Sequence, residues 1–356
     1  MRFRTPFWLP LGALVAVAGC EKEQHEKPAA PAASVDKAAA IDPALAKAVA
    51  AASAGVGAGA APAGSGQPPP GGIFPPGGAD RELPAGSPPK LTVGSTGGTP
   101  KVQLGPVQPK PGFKTTANFD VAVQADARQG ALPITFATTL EASKPKTEAA
   151  AGAAPEPVTI SVKVTGAKLG ISGAPVELES RVAKLKGLKL EYEVAANGAA
   201  SPRRYALPAG SEDLRDHVKV LSDTLALVTL PVPPEPVGVG AMWMVASREG
   251  VFGLDLVTYR LVKVEAVSGD AATLSVATKR YATSNRFDFE GLPPEAPHQL
   301  AEFESKADGK LVLKAGAPLP SSADLDSGLT AQLAMPGQQR GVIQIQSRVA
   351  LDLGKR

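Results

Sequence analysis

The sequence predicts an α+β fold that is mainly antiparallel β, with two short helices. Ordered sequence is expected from near Gly112, and from Ala117 onward apolar and polar residues alternate with a period of two, which is typical of half-buried strands. Turn-forming pairs that contain glycine separate several of these runs. A helical period replaces the alternation only near residues 175–186 and 211–227. Two arrangements fit this pattern: two related β-rich halves, or one curved sheet crossed by helices.

The first 19 residues have the layout of a secretory signal. Arg2 and Arg4 precede a mostly apolar span over residues 7–18, and small residues stand before Cys20. A bilayer span needs about 20 apolar residues, so this span is too short to cross a membrane. The run Val-Ala-Gly-Cys that ends at Cys20 resembles the lipobox of bacterial lipoproteins. An ordinary signal peptide or a short membrane helix with an accidental cysteine is the alternative.

The lipobox resemblance implies cleavage before Cys20 and acylation of that residue, which makes the lipid bilayer the first expected partner. Two or three acyl chains form a lasting anchor, whereas one chain binds only marginally. Cys20 is the only cysteine, so no disulfide is expected. Glu21 follows Cys20, where an Asp retains lipoproteins at the inner membrane in some bacteria, so we expect the outer membrane. The net charge of +3 is dispersed, which argues against a nucleic-acid partner.

Residues 20–111 are rich in Ala, Pro and Gly and are predicted to form a disordered tether. Such a composition buries too little apolar area to offset the entropy of ordering the chain. The pair Ile73-Phe74 is a brief apolar interruption. The globular domain is therefore expected at residues 112–356.

If the domain consists of two β-rich halves, these lie at residues 112–208 and 238–356 and are joined by a helix over residues 211–227; a single curved sheet crossed by helices is the other arrangement. Strand alternation is clearest at residues 117–123, 132–140, 158–164, 188–194, 260–267, 271–277, 329–335 and 343–353. Leu214, Val218 and Leu221 form the apolar stripe of the joining helix. Asp308-Gly309 is predicted to be a hairpin turn. The acidic stretch at residues 324–328 is also interpreted as a turn, because it lacks the ligands of a calcium loop.

A proline-rich segment at residues 230–237 runs into Gly238, Gly240 and Trp243. Consecutive prolines favour an extended crossover, and the glycines permit close backbone approaches. The segment resembles an uncharacterised family of exported bacterial proteins that carry Pro-Val-x-Val-Gly-x-x-Trp at the start of a strand. The resemblance implies that the protein is exported and belongs to the same class of exported bacterial proteins. It carries over no catalytic residue. Trp243 is interpreted as a core anchor, with a ligand-facing position as the alternative.

The sequence offers no catalytic set, metal site or cofactor motif. His217 lies on the joining helix beside its apolar stripe, and His298 lies in a loop without spaced ligand partners, so neither predicts a zinc site. Glu302 and Glu304 share one strand face and are interpreted as solvated.

The leading functional hypothesis is a membrane-anchored envelope lipoprotein that acts as a non-enzymatic binding or structural module for an envelope protein or an apolar ligand. Two alternatives stay open. One is a cell-envelope hydrolase, which would need two carboxylates in a pocket. The other is a lipid or apolar-ligand carrier with a groove in the curved sheet.

Overall fold

The computed structural model describes residues 69–107, 113–124, 131–143, 156–251, 253–287, 299–334 and 340–352. The predicted signal peptide, the predicted lipidation site Cys20 and residues 21–68 of the predicted tether lie outside the described residues, as does His298.

The described strands are predominantly antiparallel, and twelve of them form one sheet. They are β1 Lys90–Ser95, β2 Lys101–Val102, β3 Lys114–Gln124, β4 Leu132–Ala142, β5 Val158–Leu169, β6 Lys189–Val194, β7 Arg204–Tyr205, β8 Val237–Gly238, β9 Met242–Val251, β10 Leu254–Ser268, β11 Ala271–Ala282, β12 Leu300–Lys314, β13 Ser322–Ala334 and β14 Arg340–Asp352. The order in the large sheet is β1-β9-β10-β11-β12-β13-β14-β3-β4-β5-β6-β7, while β2 and β8 pair separately.

The helices are α1 Gly78–Glu82, α2 Val176–Ala183 and α3 Arg215–Val228, and α3 continues a 3-10 turn at Glu212–Leu214. None of the helices in the described part of the chain has the length and apolar character that a membrane span requires.

The large sheet curves around α3. The helix contacts β9 and also β13, β14 and β3, although five strands separate β9 from β3 in the sheet order. At about 4.8 Å per strand, these two strands would lie about 29 Å apart in a flat sheet, whereas a helix of this length spans only about 21 Å. The predicted α+β fold is confirmed, with the curved sheet crossed by a helix as its form. The two predicted halves are continuous, because β14 pairs with β3.

The main core lies between α3 and the concave face of the sheet. The predicted helix stripe, Leu214, Val218 and Leu221, is buried in the same apolar cluster as Trp243. Trp243 is 1% exposed, and its indole Nε1 donates a hydrogen bond to the Pro231 carbonyl at 3.1 Å. The core interpretation of this residue therefore holds in the structure.

The tether prediction is wrong for residues 69–107, which pack on the sheet. Phe74 contacts the Tyr281 ring edge-on, with ring centroids 6.0 Å apart, and its N–H donates to the Ala282 carbonyl at 2.8 Å. On this convex face the segment covers a second apolar cluster, made of Ala79, Met244, Val257, Tyr259 and Tyr281. The apolar pair Ile73-Phe74 provides the apolar contacts that dock this segment. The average composition of the segment does not reveal them, because Ala, Pro and Gly dominate it.

Arg248 holds α1 against the convex face of the sheet. Its guanidinium pairs with Asp80 of α1 and with Asp255 of β10, and it donates to the Leu83 carbonyl at 3.1 Å. Its side chain is largely buried, so these charge-assisted hydrogen bonds lie partly out of water. The ion pairs therefore add directional contacts to the apolar docking of Phe74.

A strap, defined here as residues 96–107, closes one end of the fold. Its strand β2 pairs with β8, and the Val107 N–H donates to the Ala196 carbonyl at 2.6 Å. Gly238 makes this possible, because a Cβ there would lie 1.6 Å from the Gly98 carbonyl oxygen. Gly238, which stands at the x position of the Pro-Val-x-Val-Gly segment, thus allows a close backbone approach, as predicted.

Two predicted turns are strand interiors instead. Asp308-Gly309 lies within β12, and a Cβ at Gly309 would lie 2.2 Å from the Asp324 carbonyl oxygen. The glycine therefore allows β12 and β13 to approach closely. In the sequence, a glycine required for such an approach is indistinguishable from a glycine in a turn. The acidic stretch at residues 324–328 lies within β13, where Asp324 and Asp326 pair with Arg348 of β14.

Candidate functional site

A cavity of about 390 Å³ lies where the two ends of the curved sheet approach each other beside α3. Gly86, Ser87 and Pro89, which precede β1, form one part of its wall, and residues 200–203 between β6 and β7 form another. The remaining wall comes from α3, the segment that follows it, β9 and β10, and it is made of Ser222, Asp223, Ala226, Thr229, Pro231, Val245, Ser247, Arg248, Glu249, Gly250 and Arg260.

Strand geometry brings a polar group into this otherwise apolar interior. Ser247 and Glu249 follow Trp243 and Val245 at a period of two on β9, so they share the face that packs toward α3. Thr258 of β10 lies directly opposite Ser247 on one side and Arg280 of β11 on the other. Polar side chains from three adjacent strands therefore meet on the concave face.

Glu249 and Arg260 form the best-defined ion pair of the cavity. Arg260 Nη2 donates to Glu249 Oε1 at 2.5 Å, and Ser247 Oγ donates to the same oxygen at 2.6 Å. Arg260 Nη1 also donates to the Thr229 carbonyl at 3.3 Å. Burial by itself would raise the pKa of Glu249, but Arg260, Arg280, the Ser247 hydroxyl and Arg203 hold it below its ordinary value. The carboxylate is therefore ionised near neutral pH.

Two further guanidiniums interact with this pair. Arg203 lies over the Tyr192 ring, 5.3 Å from its centroid, which is a cation–π geometry. Arg280 is 4% exposed and lines a small cleft with Asp223, which also lines the main cavity. Burial lowers the pKa of both arginines, opposed by their acidic neighbours Glu249 and Asp223.

The cluster carries more positive than negative charge. Three guanidiniums, of Arg203, Arg260 and Arg280, interact with two carboxylates, of Asp223 and Glu249. The three Nε atoms and Arg280 Nη2 are buried without a hydrogen-bond partner among the described residues. Because buried donors are normally satisfied, these nitrogens have unused capacity to donate hydrogen bonds to a ligand, while Glu249 Oε2 in the same cluster is likewise buried without a partner among the described residues.

The structure does not bring the sequence-predicted site residues together. Trp243 is in the core and is not among the residues that line the cavity. His217 is buried, and its Nε2–H donates to the Leu132 carbonyl at 3.0 Å; burial lowers its pKa. Glu302 and Glu304 are exposed on β12, in agreement with the solvated interpretation. Within the described ranges, no group of three His, Cys, Asp or Glu side chains could hold a metal ion.

Sequence reasoning missed the buried cluster. Glu249, Arg260 and Arg280 stand at positions of β9, β10 and β11 where their own strands place core residues on the same face. Each charged residue occurs at the period of two that places apolar residues of its strand on the buried face. This pattern could have predicted a buried charged cluster, because an ionised side chain is rarely buried without a partner.

Neither the scan against protein-family models nor the search of curated proteins found a match for this chain. The resemblance of the segment around Trp243 to exported bacterial proteins stays a prediction.

Proposed function

We propose that this protein is a membrane-anchored envelope lipoprotein whose globular domain is a non-enzymatic binding module. The cavity beside α3 supports the binding role, because it is concave, lies between separate elements and has a wall in which polar and charged side chains alternate with apolar ones. The lipobox-like segment that ends at Cys20 supports the anchor, and Glu21, which follows it, supports an outer-membrane location.

The ligand of such a cavity is small and partly polar. The volume of about 390 Å³ lies toward the lower end of ordinary ligand pockets. Helix α3 occupies the concave face where an acyl chain would lie in a lipid carrier, and its Ser222 and Asp223 line the cavity. These features favour a polar small molecule over the long apolar ligand of the carrier alternative.

The electrostatics of the cavity favour binding over hydrolysis. A general acid near neutral pH needs a raised pKa, whereas the pKa of Glu249 is lowered. Glu249 Oε1 accepts hydrogen bonds from both Arg260 and Ser247, whereas Oε2 has no hydrogen-bond partner among the described residues. The cavity does hold the two carboxylates that the hydrolase alternative requires, those of Asp223 and Glu249, but the lowered pKa of Glu249 makes it a poor general acid.

The experiment is to purify the full lipidated chain from membranes in detergent and to identify retained small molecules by native mass spectrometry. Ala226→Trp should fill the cavity, because Ala226 is buried and lines it. Ala183→Trp is the matched control, since Ala183 is an exposed position of another helix. We expect the wild type and Ala183→Trp to retain a ligand and Ala226→Trp to lose it while still folding. Absence of a ligand from the wild type, or its retention by Ala226→Trp, would refute the proposal.

A further inference from the structure

We infer that the ligand of this cavity carries an oxyanion, a phosphate or a carboxylate, which is bound by Arg203 and Arg260 of the cavity wall, with the buried Arg280 on the neighbouring strand β11 completing the cationic cluster. This inference rests on the proposed binding role and specifies the chemistry of the ligand.

The first argument is charge. Three guanidiniums face two carboxylates, so the cluster has one uncompensated positive charge in a buried setting. Unpaired buried charge is strongly unfavourable, and a bound anion removes it. Arg260 and Arg280 are each 4% exposed, so water compensates them poorly.

The second argument is hydrogen bonding. Arg260 uses its two terminal nitrogens on Glu249 and on the Thr229 carbonyl, which leaves its Nε unpartnered. Arg203 and Arg280 also have unpartnered Nε atoms, and Arg280 has an unpartnered Nη2. Guanidinium groups present planar sets of donors that match the oxygens of phosphate and carboxylate. A neutral ligand would satisfy the donors but would leave the excess charge.

The third argument is access. Arg203 and Arg260 both line the cavity, and Arg203 follows the exposed Pro202 at its rim. The Tyr192 ring supports the Arg203 guanidinium from one side, which limits its rotation. Arg203 therefore lines the cavity beside an exposed residue and is the residue chosen for the test.

The experiment measures anion binding by the full mature chain in detergent. Inorganic phosphate and succinate are the probes, and chloride of equal ionic strength is the reference. Isothermal titration gives the affinity, and the unfolding temperature gives a second readout, because a ligand that binds the native state raises it. Dihexanoyl phosphatidic acid, added as a third probe, tests whether a lipid headgroup or only a free anion enters.

Arg203→Gln is the test variant and Arg204→Gln its matched control, because Arg204 is the exposed neighbour on the chain. We expect Arg203→Gln to weaken the binding of phosphate or succinate about tenfold or more, as the loss of a charge-assisted hydrogen bond implies. Arg203→Lys should bind with intermediate affinity, and Arg204→Gln should bind like the wild type. The preferred probe identifies the anionic group.

Two results would overturn the inference. One is the absence of any effect of phosphate and succinate beyond that of chloride. The other is equal binding by Arg203→Gln and Arg204→Gln. If the native protein nevertheless retains a small molecule that Ala226→Trp loses, the binding function stands and only the anionic nature of the ligand is refuted.

Discussion

Glu249 is the residue whose neutralisation we expect to disturb the buried cluster most. Glu249→Gln removes the charge that pairs with Arg260 at 2.5 Å. It leaves three guanidiniums with Asp223 as the one remaining carboxylate, so the excess charge rises from one to two. Arg260→Gln has the opposite effect on the total, because two guanidiniums then face two carboxylates.

The magnitudes follow from this asymmetry. Removing one partner of a buried ion pair costs about 3–5 kcal/mol. The Glu249 side chain is 19% exposed, so we place Glu249→Gln at the lower end, about 3 kcal/mol. Arg260→Gln also loses hydrogen bonds but relieves repulsion between guanidiniums, and we expect a loss of about 1–2 kcal/mol.

The assay is urea unfolding of the full chain at neutral pH, followed by the fluorescence of Trp243. Glu141→Gln is the control, because Glu141 is an exposed partner of Lys114 and its neutralisation should leave the midpoint unchanged. If Arg260→Gln destabilises the protein as much as Glu249→Gln, or more, the charge excess assigned to the cluster is wrong.

We also expect the effect of Glu249→Gln on the free energy of unfolding to depend on pH. The folded-state pKa of Glu249 lies below its ordinary value of 4.5, so its ionisation contributes stability that is present above pH 4.5. This contribution is lost as the pH falls through the lower, folded-state pKa. The difference in stability between the wild type and Glu249→Gln should therefore shrink on acidification. A difference that grows as the pH falls below 4.5 would contradict this assignment.

Four further predictions concern other parts of the chain. Cys20→Ser should abolish acylation and membrane attachment, as judged by mass spectrometry and fractionation; unchanged attachment would refute the lipobox interpretation. Trp243→Ala should cost about 3–5 kcal/mol in the free energy of unfolding, because the indole is buried; an unchanged melting temperature would contradict this. Gly238→Ala should destabilise the strap and expose it to proteolysis, whereas Gly250→Ala, with nothing within 4 Å of the added Cβ, should not. His217→Gln should reduce the loss of stability on acidification below pH 6.5, because burial depresses the folded-state pKa of His217; an identical acid profile would refute this role.

Much of the secondary structure was predictable because it depends on the pattern of residues that are close together in the sequence. The period-two runs at residues 117–123 and 158–164 became β3 and β5, and the stripe on the joining helix packs in the core as α3. These elements need only one buried face each, and alternation identifies that face without knowledge of the partner. Trp243 was assigned to the core on the same basis.

Local signals failed where a distant backbone decides the conformation. Asp308-Gly309 has the composition of a turn, yet it lies inside β12 because Gly309 admits the β13 backbone. Residues 69–107 have a composition that predicts disorder, yet Phe74 and Arg248 attach them to the convex face. Each case depends on a contact between residues far apart in sequence.

The sequence by itself determined the fold class, the helix stripe, the core position of Trp243 and the single cysteine at which an anchor is proposed. Only the tertiary structure decided that Arg203, Glu249, Arg260 and Arg280 form one cluster. They come from different elements, and their meeting depends on the register of β9, β10 and β11 and on the curvature that brings residues 200–203 to the same cavity. The period of the sequence indicates which face of the strand a side chain occupies. The register of the strands and the curvature of the sheet determine which other side chains it contacts there.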